Sequence, residues 1–362
     1  MFRVCDVRRL RSLPPLFSRM FSSEPVLTQE TINQHVVKAE YAVRGELVLL
    51  ANKHQKTMQQ NPNHSLPFKE IIYCNIGNPQ ILGQKPLTFF RQVTACCEYP
   101  ALLDLPNVMP EDVKERAKKL LASMGNSTGA YSSSQGVPIV LNNVAKFIEE
   151  RDGHPANAED IFLTDGASVG VQRMLRLLIR DDKDGILIPI PQYPLYSATI
   201  DLYGGQRVGY YLNEEANWRL DTPQLEKALD EAKKKGINTR ALVVINPGNP
   251  TGNTMDRKAM EEVVDFCYRN KLILMADEVY QDNIYKEGQS FISFKKVLRE
   301  MEEKYQKLEL VSFHSVSKGF YGECGKRGGY LEMVNISEPV KEHKSLQPGG
   351  STTSRAVATA EE

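Results

Sequence analysis

Five apolar runs between residues 159 and 318 each end in side chains that can do chemistry. DIFLT runs into Asp165, Gly166, Ala167 and Ser168, and GILIPI leads to Tyr193. ALVVIN brings Asn246 and Asn249, and LILMAD brings Asp277 and Tyr280. LELVSFHS supplies Ser315, Ser317 and Lys318, with Arg327 a few residues beyond. Continuous apolar runs of this length read as strands buried on both faces. In an open parallel sheet, ligands bind outside the carboxyl ends of the strands. Polar and aromatic residues repeated at those ends therefore point to one composite site.

Each piece admits a chemical and a plain structural reading. TDGAS before the helical pattern VGVQRMLRLL places small residues at a helix N-terminus, where unpaired N–H groups and the positive dipole end suit a phosphate; a capped strand–helix turn explains the same residues. Arg327 among glycines could grip that phosphate bidentately, or lie on the surface. Asp277 at the mouth of a buried strand needs a cationic partner, because an unpaired charge there is costly. A protonated ring nitrogen would serve, as would a neighbouring Lys or Arg. Asn249 and Tyr280 can donate to a phenolate oxygen, or be a turn Asn and a packed Tyr. Tyr193 can stack on a flat ring, or pack in the core. Lys318, partly desolvated beside other cations, could lose its proton and attack an aldehyde. Phosphate grip, pyridinium partner, phenolate donors, ring stack and aldehyde-seeking lysine together describe pyridoxal 5′-phosphate, an electron sink that a protein orients. GECGKR is a Walker-A decoy: five residues separate Gly319 from Gly325, and Arg follows the lysine in place of Ser or Thr. There is no GxGxxG either, which leaves a nucleotide site without a motif.

The elements that must position these residues follow from pattern. From about residue 159 strand, turn and helix alternate, the signature of a largely parallel sheet covered on both faces. Six strands are legible: DIFLT, GILIPI, ALVVIN, KLILMAD, LELVSFHS and GGYLEMVN. Upstream, apolar positions Val36, Val37, Tyr41, Val43, Leu47 and Leu50 predict one long helix over 28–60. NPNHSLPF (61–68) is a break, and IIYCNIG reads as a short strand closed by the turn GNP (77–79). Helical patterning resumes over 87–105 and again over 110–125, where a Pro-Glu-Asp start and Gly125 mark the ends. The polar, aperiodic tail over 345–362 is expected to be disordered.

Composition narrows the class. Of 362 residues, 41% are hydrophobic and 25% charged, ordinary values for a globular protein with a substantial core. The 45 basic and 45 acidic residues cancel, and no apolar run reaches membrane-spanning length, so neither nucleic acid nor a membrane is expected as a partner. Six cysteines form no CxxC and six histidines no HExxH, so no metal site is expected and a reducing compartment fits. The first 23 residues are rich in Arg and Ser with Asp6 as the one acid, a transit-peptide composition, and RMFSS (19–23) resembles a mitochondrial processing site cut after Phe21. Removing residues 1–21 would leave 40 basic and 44 acidic residues.

With these residues in view, the sequence resembles the fold-type I, class I/II aminotransferases, and within them the alanine aminotransferase family. NPGNPTG (246–252), MADEVYQDN (275–283) and SFHSVSKGFYGECGKRGGY (312–330) carry the match, with TDGAS (164–168) and PQYPLY (191–196) in order and spacing. The resemblance runs from about residue 28 to about 340. It implies an α/β fold: a large domain with a mixed, mostly parallel seven-stranded sheet flanked by helices, and a partial small domain from the N-terminal segment. It divides the chain into a mitochondrial transit peptide (1–21), an arm and partial small domain (22–86), a cofactor-binding large domain (87–336) and a truncated tail (337–362). It implies that Lys318 forms the Schiff base with pyridoxal phosphate and moves the proton between substrate and cofactor. Asp277 would hold the ring nitrogen protonated, Asn249 and Tyr280 would contact the ring oxygen, and Tyr193 would stack. Ala167, Ser168, Ser315 and Arg327 would hold the phosphate. Tyr131, in STGAYSSSQG, resembles the tyrosine that reaches the cofactor phosphate of a neighbouring subunit, and Gly77 the turn near the substrate carboxylate.

The implied reaction passes the amino group of L-alanine to 2-oxoglutarate, an amino acid and a 2-oxo acid exchanging roles in the mitochondrial matrix, in a homodimer. The family continues past the lysine loop into a C-terminal small domain with the arginine that clamps the substrate carboxylate. Here the match fades near SEPVKEHK (337–344), so a chain with little or no transaminase activity is expected. Two other readings keep the scaffold: a lyase or decarboxylase on the same cofactor, and a non-catalytic partner of a complete subunit.

Overall fold

The structure is a computed structural model that describes residues 25–41, 43 and 45–345. The proposed transit segment and processing site lie outside them. Seven strands form one sheet: β1 (Ile161–Thr164), β2 (Asp184–Ile190), β3 (Gln206–Tyr211), β4 (Asn238–Ile245), β5 (Ile273–Asp277), β6 (Leu310–Ser315) and β7 (Gly329–Val334). Their order is β1-β7-β6-β5-β4-β2-β3. β7 runs antiparallel to both neighbours and every other pairing is parallel. The N-terminal end of β7 therefore meets the edge where the other strands have their carboxyl ends.

Alternate strand residues feed opposite faces of the sheet. Leu242, Val244, Leu274 and Ala276 pack under α8 (Thr222–Lys234), α9 (Arg257–Asn270) and α10 (Phe294–Glu300). Ala241, Val243, Met275 and Phe313 pack under α6 (Ala167–Leu178) and α7 (Leu195–Leu202). The α6 stripe Val171, Met174, Leu175, Leu178 has the spacing of one helix face, and each such side chain contributes about 1.5–3 kcal/mol on burial. A third apolar cluster joins α3 (Thr88–Glu98), α4 (Glu111–Ser123) and α5 (Pro138–Asp152) to β1 and β7.

Three expectations are corrected. The stretch 28–60 is not one helix but two, α1 (Gln34–Lys38) and α2 (Glu46–Gln60). The chain is extended at Ala39, and Gly45 opens the second helix. Tyr41 and Val43 leave the apolar stripe to line the cavity described below. IIYCNIG forms no strand: Asn75 donates instead to the Val43 carbonyl (3.0 Å) and the Gly77 carbonyl accepts from Lys318. The proposed tail begins with a helix, α11 (Glu338–Ser345), whose Lys341 is buried and paired with Asp160 and Glu338. Residues beyond 345 lie outside the described residues.

Candidate active site

Strand register builds the site. Thr164 of β1 and Ser315 of β6 both pair with Gly329 of β7. The residues just beyond Thr164, just before Gly329 and just after Ser315 are therefore lateral neighbours. A Cβ on Gly329 would sit 2.8 Å from the His314 carbonyl oxygen and 2.9 Å from the Ala167 nitrogen, so glycine is required there. Gly166 takes φ +79° as the residue before α6, and no side chain caps its orphan N–H groups. The Arg327 guanidinium lies over it, donating to the Asp165 carbonyl (3.1 Å) and the Cys324 carbonyl (2.9 Å). A helix N-terminus and a guanidinium thus face one spot, which suits an anion such as a phosphate.

These groups open on a cavity of about 490 Å³. Ala167, Ser168, Tyr193, Asn249, Asp277, Tyr280, Ser315, Lys318, Arg327 and Gly77 all line it; Tyr131 does not, and its side chain is almost fully exposed. Asn249 Nδ2 donates to Tyr280 Oη (3.2 Å), so the two candidate ring-oxygen donors touch. The Lys318 ammonium is 5.9 Å from the Tyr280 ring centroid and donates to the Gly77 carbonyl (2.5 Å). Burial lowers its pKa from the ordinary lysine value.

Asp277 is 5% exposed and forms no ion pair with Lys or Arg among the described residues. Tyr196 Oη donates to its Oδ2 (2.7 Å) and the Val279 amide approaches Oδ1 (3.4 Å). Burial raises its pKa from 3.8 to about 6, against the lowering effect of both donors. Holding it charged costs roughly 3 kcal/mol relative to water, a debt that a cation brought into the cavity would relieve. Pyridoxal phosphate has a ring nitrogen that can be cationic, a phosphate and an aldehyde; the cavity offers a buried carboxylate without a cationic partner, an anion cradle and a desolvated lysine. The residues present fit the group.

Sequence reasoning missed several of these contacts. Tyr196 stands three residues after Tyr193 in PQYPLY, at the start of α7, so its helical spacing was the available signal. Tyr41 reaches Tyr193, hydroxyl to hydroxyl at 2.7 Å and ring edge to face. Gln80 and Gln84 donate to the carbonyls of Gly322 (3.1 Å) and Phe320 (2.9 Å), and Arg91 forks onto Glu323, strapping the lysine loop to the N-terminal segment. No local pattern announces contacts across more than 200 residues.

The same strands carry a second polar set on their reverse face. Glu278 is buried behind Asp277, accepts from the Phe294 amide (2.8 Å), and has its pKa raised to about 8, chiefly by burial. His314, behind Ser315, stacks on Phe147 and is pushed down to about 3, chiefly by burial and then by Arg151. Lys295 pairs with Glu332 at 2.5 Å. The Glu278 carboxyl holds its proton in the fold between its ordinary 4.5 and about 8, while the unfolded chain gives it up. Its contribution to stability is therefore present below pH 4.5 and lost as pH rises through about 8. Glu278→Gln keeps the acceptor for Phe294 and removes the titration. It is expected to stabilise the fold by roughly 4 kcal/mol near pH 8 and by nothing near pH 4, read from denaturant midpoints. A difference that stays flat across that window would contradict the buried proton.

Comparison with known proteins gives the family of the chain. Residues 99–360 match the family model for aminotransferases of class I and II, and the chain belongs to that family, whose members use pyridoxal phosphate. It is 60% identical over 322 residues to the probable mitochondrial alanine aminotransferase of Dictyostelium discoideum, a match covering 87% of this chain and 60% of that protein. It is 55% identical over 325 residues to mitochondrial alanine aminotransferase 1 of Arabidopsis thaliana, covering 89% of this chain and 60% of that protein. The chain thus spans about 60% of the length of these relatives. Among solved structures, an aminotransferase from Escherichia coli superposes with a TM-score of 0.69 at 20% identity, over 94% of this chain and 72% of that one. At that identity the likeness speaks to the fold alone.

Proposed function

We propose that the chain carries the cofactor site of a pyridoxal 5′-phosphate-dependent transaminase that converts L-alanine and 2-oxoglutarate to pyruvate and L-glutamate. The observation that carries this reading is a single cavity lined by a buried carboxylate without a basic partner, a guanidinium over a helix N-terminus, and a desolvated lysine. Bound there, pyridoxal phosphate would supply an aldehyde for an amine to condense with and a cationic ring to take up the electron pair of a broken Cα–H bond. Arg327, Ser315 and the first turn of α6 would hold the phosphate, and Tyr193 would lie against the ring. Asp277 would keep the ring nitrogen protonated, and Asn249 with Tyr280 would hydrogen-bond the ring oxygen. Lys318 would hold the aldehyde end, and its amine, with a pKa lowered by burial, would take up the proton from the amino acid's α-carbon. The cavity wall at Gly77 faces the substrate.

The alanine substrate and the mitochondrial matrix are supported by the names of the relatives and by the Arg- and Ser-rich first 23 residues. On this reading residues 1–21 are a transit peptide, 22–86 an arm and partial small domain, and 87–336 the cofactor-binding domain. The exposed Tyr131 ring suits a homodimer in which it serves the neighbouring subunit.

The test is the visible spectrum of purified protein with pyridoxal phosphate, before and after L-alanine. Retained yellow absorption is the expected result, and bleaching by alanine as pyruvate forms, reversed by 2-oxoglutarate, would show turnover above the little or none that the sequence leads one to expect. No retained chromophore removes the reading. Release of carbon dioxide with the yellow absorption retained and no response to 2-oxoglutarate would move the chemistry to a decarboxylase, which returns its cofactor in the aldehyde form.

A further inference from the structure

Asp277 is held in a way that its own strand does not explain. β5 delivers the carboxylate to the cavity, yet the side-chain donor that reaches it comes from α7, the helix that follows β2, a strand two places from β5 in the sheet order. Tyr196 is fully buried, its hydroxyl lies 2.7 Å from Asp277 Oδ2, and it is the one side-chain donor to that carboxylate among the described residues. The hydroxyl has little freedom to act otherwise, because its ring is packed in the apolar cluster with Leu195 and Ile200.

We propose that Tyr196 is a positioning residue for the ring-nitrogen end of the site: its hydroxyl holds the Asp277 carboxylate ionised and aimed into the cavity, so that the chain selects heteroaromatic rings that carry a proton on nitrogen. The inference rests on the cofactor reading above. A hydroxyl that donates to a carboxylate stabilises its charged form and is lost as a partner when the acid is protonated. Burial works the other way and raises the Asp277 pKa to about 6. The balance between the two lies inside the physiological range, so a single hydroxyl decides the charge there. The other titratable groups facing Asp277 are Tyr193 from the segment before α7 and Tyr280 from the turn after β5, both with raised pKa values that keep them neutral. Lys318 and Arg327 line the same cavity from the β6–β7 loop.

The experiment uses the full chain freed of cofactor and titrated calorimetrically with 4′-deoxypyridoxine 5′-phosphate, which has the ring nitrogen and phosphate but no aldehyde. Lysine chemistry is thereby left out of the readout. Wild-type affinity is expected to fall as pH drops through about 6. In Tyr196→Phe that acid limb is expected to move up by about one pH unit, giving roughly fivefold weaker binding near pH 6 and a difference within about twofold near pH 8. Tyr196→His, whose ring N–H can donate instead, is expected to return the limb to the wild-type position or below it. Adding Tyr196→Phe to Asp277→Asn is expected to move nothing further, because the group it acts through is gone. A Phe variant whose affinity drops equally at every pH, or whose acid limb coincides with wild type, overturns the inference while leaving the cofactor reading intact. A wild-type chain that binds neither this analogue nor pyridoxal phosphate overturns that reading and the inference together.

Discussion

Lys318→Ala is expected to leave no cofactor fixed to the chain by borohydride and to lower alanine-dependent pyruvate formation by about 10²–10⁴-fold relative to wild type, the range lost with a positioned acid–base group. Lys318 sits on the glycine-rich loop after β6, half-buried, with its pKa lowered by desolvation. It lies beside the Tyr280 ring and donates to the Gly77 carbonyl, a neutral partner that an uncharged amine can release without separating an ion pair. Phosphate and ring contacts survive the substitution, so the variant is expected to bind pyridoxal phosphate without a covalent link. That separates loss of chemistry from loss of the site. Lys326→Ala provides the control: Lys326 is exposed on the same loop and does not line the cavity, and borohydride fixation is expected to be unchanged. Fixation at wild-type level in Lys318→Ala would assign the nucleophile to another lysine.

The site was legible because it is built where two local rules meet. Each apolar run had to end, and what followed each end was polar: Ser168, Asn249, Asp277, Ser315 and Lys318 could be named without knowing which strands were neighbours. Neighbourhood was the part the sequence did not carry. The pairing of Thr164 and Ser315 with Gly329 brings Arg327 over Gly166, and that register depends on β7 running antiparallel. β3 escaped notice because it is an edge strand with alternating exposure and a central Gly209, so it presents no continuous apolar run. The long helix over 28–60 and the strand at IIYCNIG failed for a shared reason. Both patterns were real, but the fold uses Tyr41, Val43, Asn75 and Gly77 to wall the cavity, and tertiary contact overrode local preference. Tyr193 and Tyr196 look alike in sequence. Only packing shows that Tyr193 meets Tyr41 while Tyr196 holds Asp277.

Asp277→Asn is expected to act on stability and on chemistry with opposite signs. In the cofactor-free chain the carboxyl has its pKa raised from 3.8 to about 6, so its contribution to stability is full below pH 3.8 and lost as pH rises through about 6. Asparagine removes that titration and keeps an acceptor for Tyr196. The variant is therefore expected to be more stable than wild type by about 3 kcal/mol above pH 7 and no more stable near pH 3, measured by denaturant unfolding without cofactor. Loaded with cofactor, wild type recovers much of the difference, since the ring supplies the cation that the carboxylate lacks. The rate moves the other way. Without a negative charge behind the ring nitrogen the ring is a weaker electron sink, and alanine-dependent bleaching is expected to slow by about 10²–10³-fold, comparable to losing one preorganised electrostatic contact. A residue kept for packing would destabilise on substitution and leave chemistry alone; a residue kept for chemistry stabilises when it is removed. A variant less stable than wild type at pH 8, or one that turns over alanine within tenfold of it, would show that Asp277 is not held charged for the sake of a cationic ring.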